Sequence, residues 1–427
     1  FHIPFDKNLY NHFIFGNFSK RKGDTMKKRS LSKVLSLLLV SLCLGLAAAG
    51  CAKKEEPAET TETTEEVKES SEESKEESKE STEDVIENVD YIYAVNDNDN
   101  IVIENEGYDA LKAAIKEFNQ SAKEYGKSKG IGEGSEYQIY NRVLRTDSKV
   151  FSIVSEEAVY TDLESGFGES NRNFSTVNYS SSDGKELNLS DVADEGIYKV
   201  LTDELKASYP SVKFVHDTES KLKEGLSKQG WDSKAAWALS YDGIIFYIQK
   251  DLVSADGAGV LVYSVSFNEH KDIIKQSYTS KPESYIYPIF VNANYPIKIG
   301  DKVVRLSVST DDANDYETVV NIDLAGKKNS VQYMYTPSNM HLINVKGDMF
   351  MLIQVPVGDV SYFTDVFKLD DNGVLELNEV EQAVAESHFS NDTSHIMINT
   401  IGEGGDYNQV QSYYMEFNTD GTFKKVE

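Results

Sequence analysis

Catalysis needs a nucleophile, a proton carrier or a metal cage, and the residue types able to supply them are few in this chain. Beyond residue 50 the histidines are His216, His270, His341, His388 and His395. None forms an HxxxH or HExxH pair, and His388 and His395 sit seven apart in a polar stretch, so no metal-ligand spacing is present. There is no Gly-x-Ser-x-Gly nucleophile elbow. Ser182 and Lys185 have the SxxK spacing but fall in a turn and lack the SDN and KTG partners that such a serine requires. Gly130-Ile-Gly132-Glu-Gly134 neither follows a strand nor opens a helix, which makes it a loop and not a phosphate cradle. Asp97-Asn98-Asp99 and Asp311-Asp312-Ala313-Asn314-Asp315 offer oxygen ligands for calcium. Neither completes an EF-hand loop, and Asx-rich turns account for both. Carboxylates abound, yet nothing singles out a pair for general acid–base work. We expect no catalytic residue, no cofactor and no metal.

Bulk properties narrow the classes further. The chain has 427 residues, 43 Lys and Arg against 71 Asp and Glu, and a formal charge of -28. Such a balance argues against nucleic acid as a partner, because phosphate binding needs basic surface at the contact. With 40% hydrophobic and 11% aromatic residues, most of the chain can bury a core. Two cysteines exclude a disulfide framework. No run reaches the ~20 apolar residues of a membrane span.

One cysteine does carry a chemical expectation. Met26 opens a basic stretch, Met-Lys-Lys-Arg-Ser-Leu-Ser-Lys, followed by an apolar run from Leu35 to Ala49 and then Ala48-Ala49-Gly50-Cys51. This order resembles a bacterial lipoprotein signal. It implies cleavage between Gly50 and Cys51 and a diacylglycerol on the Cys51 sulfur, and so a lipid-anchored protein on the outer face of the cell membrane. Residues 1–25 have no secretory logic and read as translated upstream sequence; residues 26–50 are the signal peptide. Ala52 to Asp84 is rich in Glu, Ser and Thr without an aromatic. It cannot bury enough apolar surface to offset its ordering entropy, so residues 51–90 read as the lipidated cysteine and an acidic stalk.

From about Val85 the composition becomes globular. Tyr108, Leu111, Ile115, Phe118, Ala122 and Tyr125 recur at helical spacing, which predicts a helix over Gly107 to Tyr125. Further helices are expected over Asp194 to Ser208, Asp217 to Lys228 and Asn268 to Gln276. Strands are expected over Tyr137 to Leu144, Val150 to Tyr160, Phe174 to Tyr179, Ile244 to Gln249 and Val260 to Phe267, with turns at Ser182 to Lys185 and Asp242-Gly243. Residues 91–280 therefore read as α+β, with helices packed on an antiparallel sheet. After Lys281 the chain alternates with period two, as in Val304, Leu306 and Val308, and turns recur at Ala325-Gly326, Lys346-Gly347, Asn372-Gly373 and Asp420-Gly421. Residues 281–427 read as an all-β second domain, a sandwich or propeller-like meander, with one helix over Leu377 to Ala385. Tyr285, Tyr287, Tyr333, Tyr335, Tyr413 and Tyr414 could stack on sugar rings, but alternate strand positions are buried and most should be core.

Two stretches carry a resemblance. One is Val143-Leu-Arg-Thr-Asp-Ser-Lys-Val150, running through Tyr160-Thr161 to Asp183-Gly184-Lys185-Glu-Leu-Asn-Leu-Ser190-Asp191. The other is Trp237-Ala-Leu-Ser-Tyr-Asp242-Gly243-Ile-Ile-Phe246-Tyr247, followed by Ala258-Gly259 and Tyr263-Ser-Val-Ser-Phe-Asn-Glu. Together they resemble the extracellular domain of RsiV-type anti-sigma factors, found also beside catalytic modules in PdaC-type peptidoglycan deacetylases. The likeness covers roughly residues 91–280 and implies a helix-on-sheet domain that in RsiV binds lysozyme. Two loops depart from the family: Asp162 to Gly168 replaces a Gly-Gly-Ala-His-like turn, and Gln249-Lys250-Asp251 replaces Asn-Pro-Tyr. An anti-sigma role, which needs a spanning helix and a cytoplasmic region, is not expected. The functional expectation is a non-enzymatic binding module capturing a basic extracellular protein such as lysozyme. A binder of cell-wall glycan or peptide (peptidoglycan), or an accessory to a wall enzyme, is the alternative.

Overall fold

The stripe of apolar residues beginning at Leu111 becomes the longest helix among the described residues. In this computed structural model α1 (Asp109–Ser128) buries Leu111, Ile115 and Ala122, while Tyr108, Phe118 and Tyr125 on the same stripe are half-buried. The structure describes residues 90–97, 100–129, 135–161, 168–254, 259–314, 317–357, 361–382, 388–389, 392–402 and 406–426. Residues 1–25, the segment expected to be a signal peptide (residues 26–50, with Gly50), Cys51, the acidic stretch to residue 89 and residues 130–134, expected as a loop, lie outside the described residues. Among the described residues no helix is long and apolar enough to cross a membrane.

Most of the described chain is strand, and the strands pair mainly antiparallel. A small ribbon of β1 (Ala94–Asp97) and β2 (Asn100–Ile103) precedes α1. A three-stranded sheet follows, made of β3 (Ser135–Thr146), β4 (Val150–Thr161) and β5 (Gly168–Ser180). Three helices come next: α2 (Leu189–Val192), α3 (Ile197–Ser208) and α4 (Thr218–Leu226). The largest sheet has seven strands. Its first three are β6 (Ala235–Leu239), β7 (Gly243–Ile248) and β8 (Leu261–Ser266). It continues through β10 (Ala293–Ile299), β11 (Lys302–Asn314), β12 (Glu317–Leu324) and β13 (Lys327–Tyr333). β8 and β10 run parallel, Ala293 opposite Val262. The composition change at residues 280 and 281, expected to separate two domains, falls within this sheet: β6–β8 precede it and β10–β13 follow it.

β9 (Ser284–Ile289), β14 (Asn339–Val345), β15 (Asp348–Val357), β16 (Ser361–Asp370) and β17 (Gly373–Gln382) form a five-stranded sheet. A last sheet contains β18 (His388–Phe389), β19 (Ile396–Gly402), β20 (Asp406–Phe417) and β21 (Phe423–Lys425). The turns Ala325-Gly326 and Lys346-Gly347 close the β12–β13 and β14–β15 hairpins, as their sequences imply.

Side chains alternate across a strand, and the unbroken apolar runs of β6–β8 follow from covering both faces. Ala235, Trp237 and Leu239 share a core with Leu201 and Leu205 of α3 and Leu222 of α4. Ala236 and Ala238 face a second core that holds Tyr287, Tyr295, Val320, Ile322, Met351 and Ile353. On β12 the buried residues are Thr318, Val320, Ile322 and Leu324, and the intervening positions are half-buried, which gives the clean alternation seen in the sequence.

Two expected helices do not form. Over Asn268 to Gln276 the chain makes a single turn in which Ile274 N–H donates to the His270 carbonyl (3.0 Å). Ile274 then enters a β-bridge with Ala193, and Lys275 N–H donates to Val192 (2.8 Å), so cross-chain bonding ends the turn. The Leu377 to Ala385 region is strand β17 up to Gln382, because β16 offers a long unpaired edge and β17 pairs along it with one bulge at Val366 and Phe367. Asp311 and Asp312 lie in strand β11, not in a calcium loop, and the Asp311 carboxylate accepts from Asn321 Nδ2 (2.7 Å). Ala235–Leu239, read as neither helix nor strand in advance, is β6.

A buried ion pair fastens the β3–β4 hairpin. Arg145 Nε meets Asp147 Oδ2 at 2.6 Å with both side chains at 0% exposure. The same guanidinium donates to the carbonyls of Tyr278 (2.7 Å) and Ser280 (2.9 Å), while Asp147 Oδ1 accepts from Lys149 N (2.8 Å) and Val150 N (2.9 Å). The family-like stretch from Val143 to Val150 thus carries a structural clamp. The first described residues are held by three distant segments. Ser148 N–H donates to the Asp90 carbonyl (3.0 Å), Tyr91 OH to the Ser284 carbonyl, and Tyr93 OH to Asp392 Oδ2 (2.9 Å).

Candidate functional site

The polar segment between α4 and β6 lays Trp231 against α1. Gly230 has φ +132, a conformation open to glycine and strained for other residues, and it turns the chain so that Trp231 reaches the helix. Phe118 and Tyr125, seven apart on α1, present their rings to it, with centroids at 5.8 Å and 5.0 Å and planes within 26° and 20°. Trp231 Nε1–H donates to Ser121 Oγ (2.9 Å), and the Trp231 carbonyl accepts from Ser175 Oγ of β5 (3.1 Å). A cleft of about 300 Å³ opens beside this stack. Its walls include Glu117 and Phe118 from α1, Thr176 and Tyr179 from β5, Glu186, and Trp231. Gly184 brings the turn after β5 close to α1: a Cβ there would lie 2.5 Å from the Ala110 carbonyl oxygen.

Carboxylates give the cleft its electrostatics. Burial raises the Glu186 carboxyl above its ordinary value. With the Gln229 amide assigned to satisfy both neighbours, its NH2 donates to Glu186 Oε1 (3.0 Å) and its oxygen accepts from Trp237 Nε1 (2.8 Å). Behind the stack Glu157 of β4 is buried. It accepts from Ser175 Oγ (2.8 Å) and Tyr137 OH (2.8 Å), and Tyr125 OH lies at 3.4 Å. Desolvation raises the Glu157 pKa, against the lowering effect of those hydroxyl donors. Burial pushes the Tyr125 hydroxyl up to about 12, so it stays a proton donor. At the rim Lys129 Nζ sits 2.7 Å from Asp232 Oδ1 and 4.3 Å from the Tyr125 ring centroid. Carboxylates beside stacked rings suit a cationic side chain, which gains from the ring faces and the charges together.

The residues weighed from sequence scatter elsewhere. Tyr285 and Tyr287 are core, and their hydroxyls donate to buried Asp242 (2.6 and 3.2 Å), which also holds Lys281 Nζ (2.7 Å). Tyr333 is buried and donates to Asp365 (2.8 Å); Tyr413 is half-buried, and Tyr335 and Tyr414 are exposed. Ser182 and Lys185 lie in the expected turn, where Lys185 pairs with Asp183 (2.7 Å). His341 is buried and held neutral, its pKa pushed down to about 3 by desolvation. His270 Nε2 bonds Glu204 Oε1 (2.7 Å). Ser394, His395 and Asp392 adjoin one another, but Ser394 Oγ and Asp392 Oδ2 both address His395 Nδ1 (3.0 Å each). A proton relay needs the serine and the carboxylate on opposite ring nitrogens, so this is a turn and not a triad. Among the described residues no three His, Cys, Asp or Glu side chains gather as a metal site.

Sequence reasoning assigned Phe118 and Tyr125 to an amphipathic stripe and passed over Trp231 and Glu157. The available signal was a tryptophan in a Gln-Gly-Trp-Asp turn, where a large ring has no local reason to sit.

No family model matches the chain, and no curated protein matches it. Among solved structures it is similar to a crystal structure of a DUF3298-family member from Bacteroides fragilis, with 16% identity and a TM-score of 0.24. The alignment covers 38% of this chain and 64% of that one, so the chain spans under two thirds of the length of that protein.

Proposed function

We propose that this chain is a cell-surface lipoprotein, anchored through diacylglycerol on Cys51, that acts by binding and captures a basic extracellular protein of the lysozyme kind. The supporting observation is the cleft beside Trp231. Its stacked rings and the carboxylates of Glu117 and Glu186 suit the lysine and arginine side chains that crowd the surface of such a protein. The formal charge of -28 adds long-range steering toward cationic partners. The RsiV-like stretches over residues 91–280 point to the same ligand class.

The test is a titration of the purified chain with lysozyme at ~50 and ~300 mM salt, against a basic protein without muramidase activity. Binding should survive the higher salt and spare the control. The Glu117→Gln/Glu186→Gln double variant should weaken it by about tenfold, as loss of two partly screened ion contacts implies. Binding that vanishes at ~300 mM salt, or is shared by the control, would reduce the interaction to bulk charge and refute the proposal.

A further inference from the structure

Trp231 also lines a second, larger cleft of about 680 Å³ on a surface of opposite character. Lys221 comes from α4, Lys228 follows that helix, Lys234 precedes β6 and Lys250 follows β7. Lys234 and Lys250 are brought together by the sheet, since Gln249 N–H donates to the Lys234 carbonyl (3.0 Å). Among the described residues none of the four ammonium groups forms an ion pair with a carboxylate. Lys129, Lys199 and Lys223, by contrast, each have a carboxylate partner. Three acids also line the cleft: Glu224, Asp251 and Asp232, the last bonded to Lys129 and Tyr125 and attracted by Lys234 as well, so four lysines face three carboxylates, one of them shared with Lys129. The floor is close-packed: a Cβ on Gly225 would meet Leu252 at 3.0 Å and Ala235 at 3.2 Å, so α4 and β6 hold the lysine backbones in place.

We infer that this cleft binds a polyanionic glycan, a sugar- or polyol-based polymer with phosphate or carboxylate groups along its length. Lysine is a compact point charge without the fork that selects one planar carboxylate, so four of them around an open cleft suit several spaced anions. Trp231, half-buried and stacked on Phe118 and Tyr125, is part of the same lining, and the C–H face of a sugar ring suits an aromatic side chain. The choice of a glycan over a nucleic acid rests on the surface location proposed above. The site itself rests on the lysines, and it adjoins the carboxylate-lined cleft, with which it shares Gln229, Gly230 and Trp231.

The protein reports on this site directly. It has two tryptophans; Trp237 is fully buried, so a fluorescence change on ligand addition reads Trp231. The purified full chain is titrated with a polyglycerol phosphate oligomer, a neutral chitin tetramer and a single-stranded oligonucleotide of equal charge. The phosphate polymer should change the emission, and the other two should bind at least about tenfold more weakly. Lys228→Glu/Lys234→Glu/Lys250→Glu should weaken polymer binding at least about tenfold. The equal charge change Lys206→Glu/Lys213→Glu/Lys328→Glu should alter it by less than about twofold. If the first triple does not fold, the corresponding Gln triple replaces it with the same direction of effect. Equal loss in both triples, equal binding of the neutral tetramer, or equal binding of the oligonucleotide would overturn the inference. Glu117→Gln/Glu186→Gln should leave polymer binding intact, so a failure here and a failure of protein capture are told apart.

Discussion

Replacing Arg145 with methionine should be among the most damaging single changes in the chain. The side chain is fully buried, its partner Asp147 is fully buried at 2.6 Å, and two loop carbonyls, Tyr278 and Ser280, depend on the same guanidinium. Removing one member of a buried pair typically costs ~3–5 kcal/mol, because the remaining charge is left uncompensated. Asp147 retains two backbone donors, which softens that cost, while each stranded carbonyl adds ~1–3 kcal/mol without strict additivity. We expect a net loss of about 4 kcal/mol for Arg145→Met and about 3 kcal/mol for Asp147→Asn. The double variant should be more stable than the sum of the two by at least ~1 kcal/mol, since neither charge is then stranded. Urea unfolding followed by circular dichroism, with slopes compared so that only midpoints carry the difference, measures all three. A cost under ~1 kcal/mol for Arg145→Met, or strict additivity in the double variant, would refute the view that this clamp holds the hairpin to the 278–280 loop.

Three further outcomes are expected. Glu157 has a raised folded pKa, so its contribution is present below the ordinary carboxylate range and is lost as pH rises through the folded value. Glu157→Gln should therefore be neutral to ~1 kcal/mol stabilising at pH 8 and should flatten the stability slope above about pH 4.3; a loss above ~1 kcal/mol at pH 8 contradicts this. The His270 pKa is raised chiefly by its hydrogen bond to Glu204, so its stabilisation is complete below the ordinary histidine value and fades as pH climbs through the folded one. His270→Gln should cost under ~1 kcal/mol at pH 5.5 and nothing at pH 9, and a cost that is the same at both pH values would exclude charge as the cause. Metabolic labelling with palmitate should mark the wild-type chain and not Cys51→Ala, and equal label in both would dismiss the anchor.

How much was legible from sequence can be judged from particular elements. α1, α3 and α4 follow the spacing of Leu111 and Ile115, of Ile197, Leu201 and Leu205, and of Leu222 and Leu226, because one-sided burial writes itself as a 3.6-residue period. β12 was legible for the same reason with period two. β6 was hidden because its Ala-Ala-Trp-Ala-Leu run is buried on both faces, which erases the alternation. The Asn268–Gln276 and Leu377–Ala385 helices failed because bonds to remote partners, Ala193 in one case and β16 in the other, outcompete local preference. The candidate cleft was least legible, since α1, β5 and the Trp231 turn meet only through the tertiary fold.

The three fasteners on Asp90, Tyr91 and Tyr93 have a mechanical consequence. They reach Ser148, Ser284 and Asp392, residues in three regions of the sequence that belong to different parts of the folded unit. A pull applied to the chain at residue 90 is therefore divided among the β3–β4 hairpin, the start of the five-stranded sheet and the segment before β19. Tension of that kind tends to draw these parts against one another and does not peel a single strand from an edge. The entry point of the fold resists traction as a splice does, by gripping several cords at once.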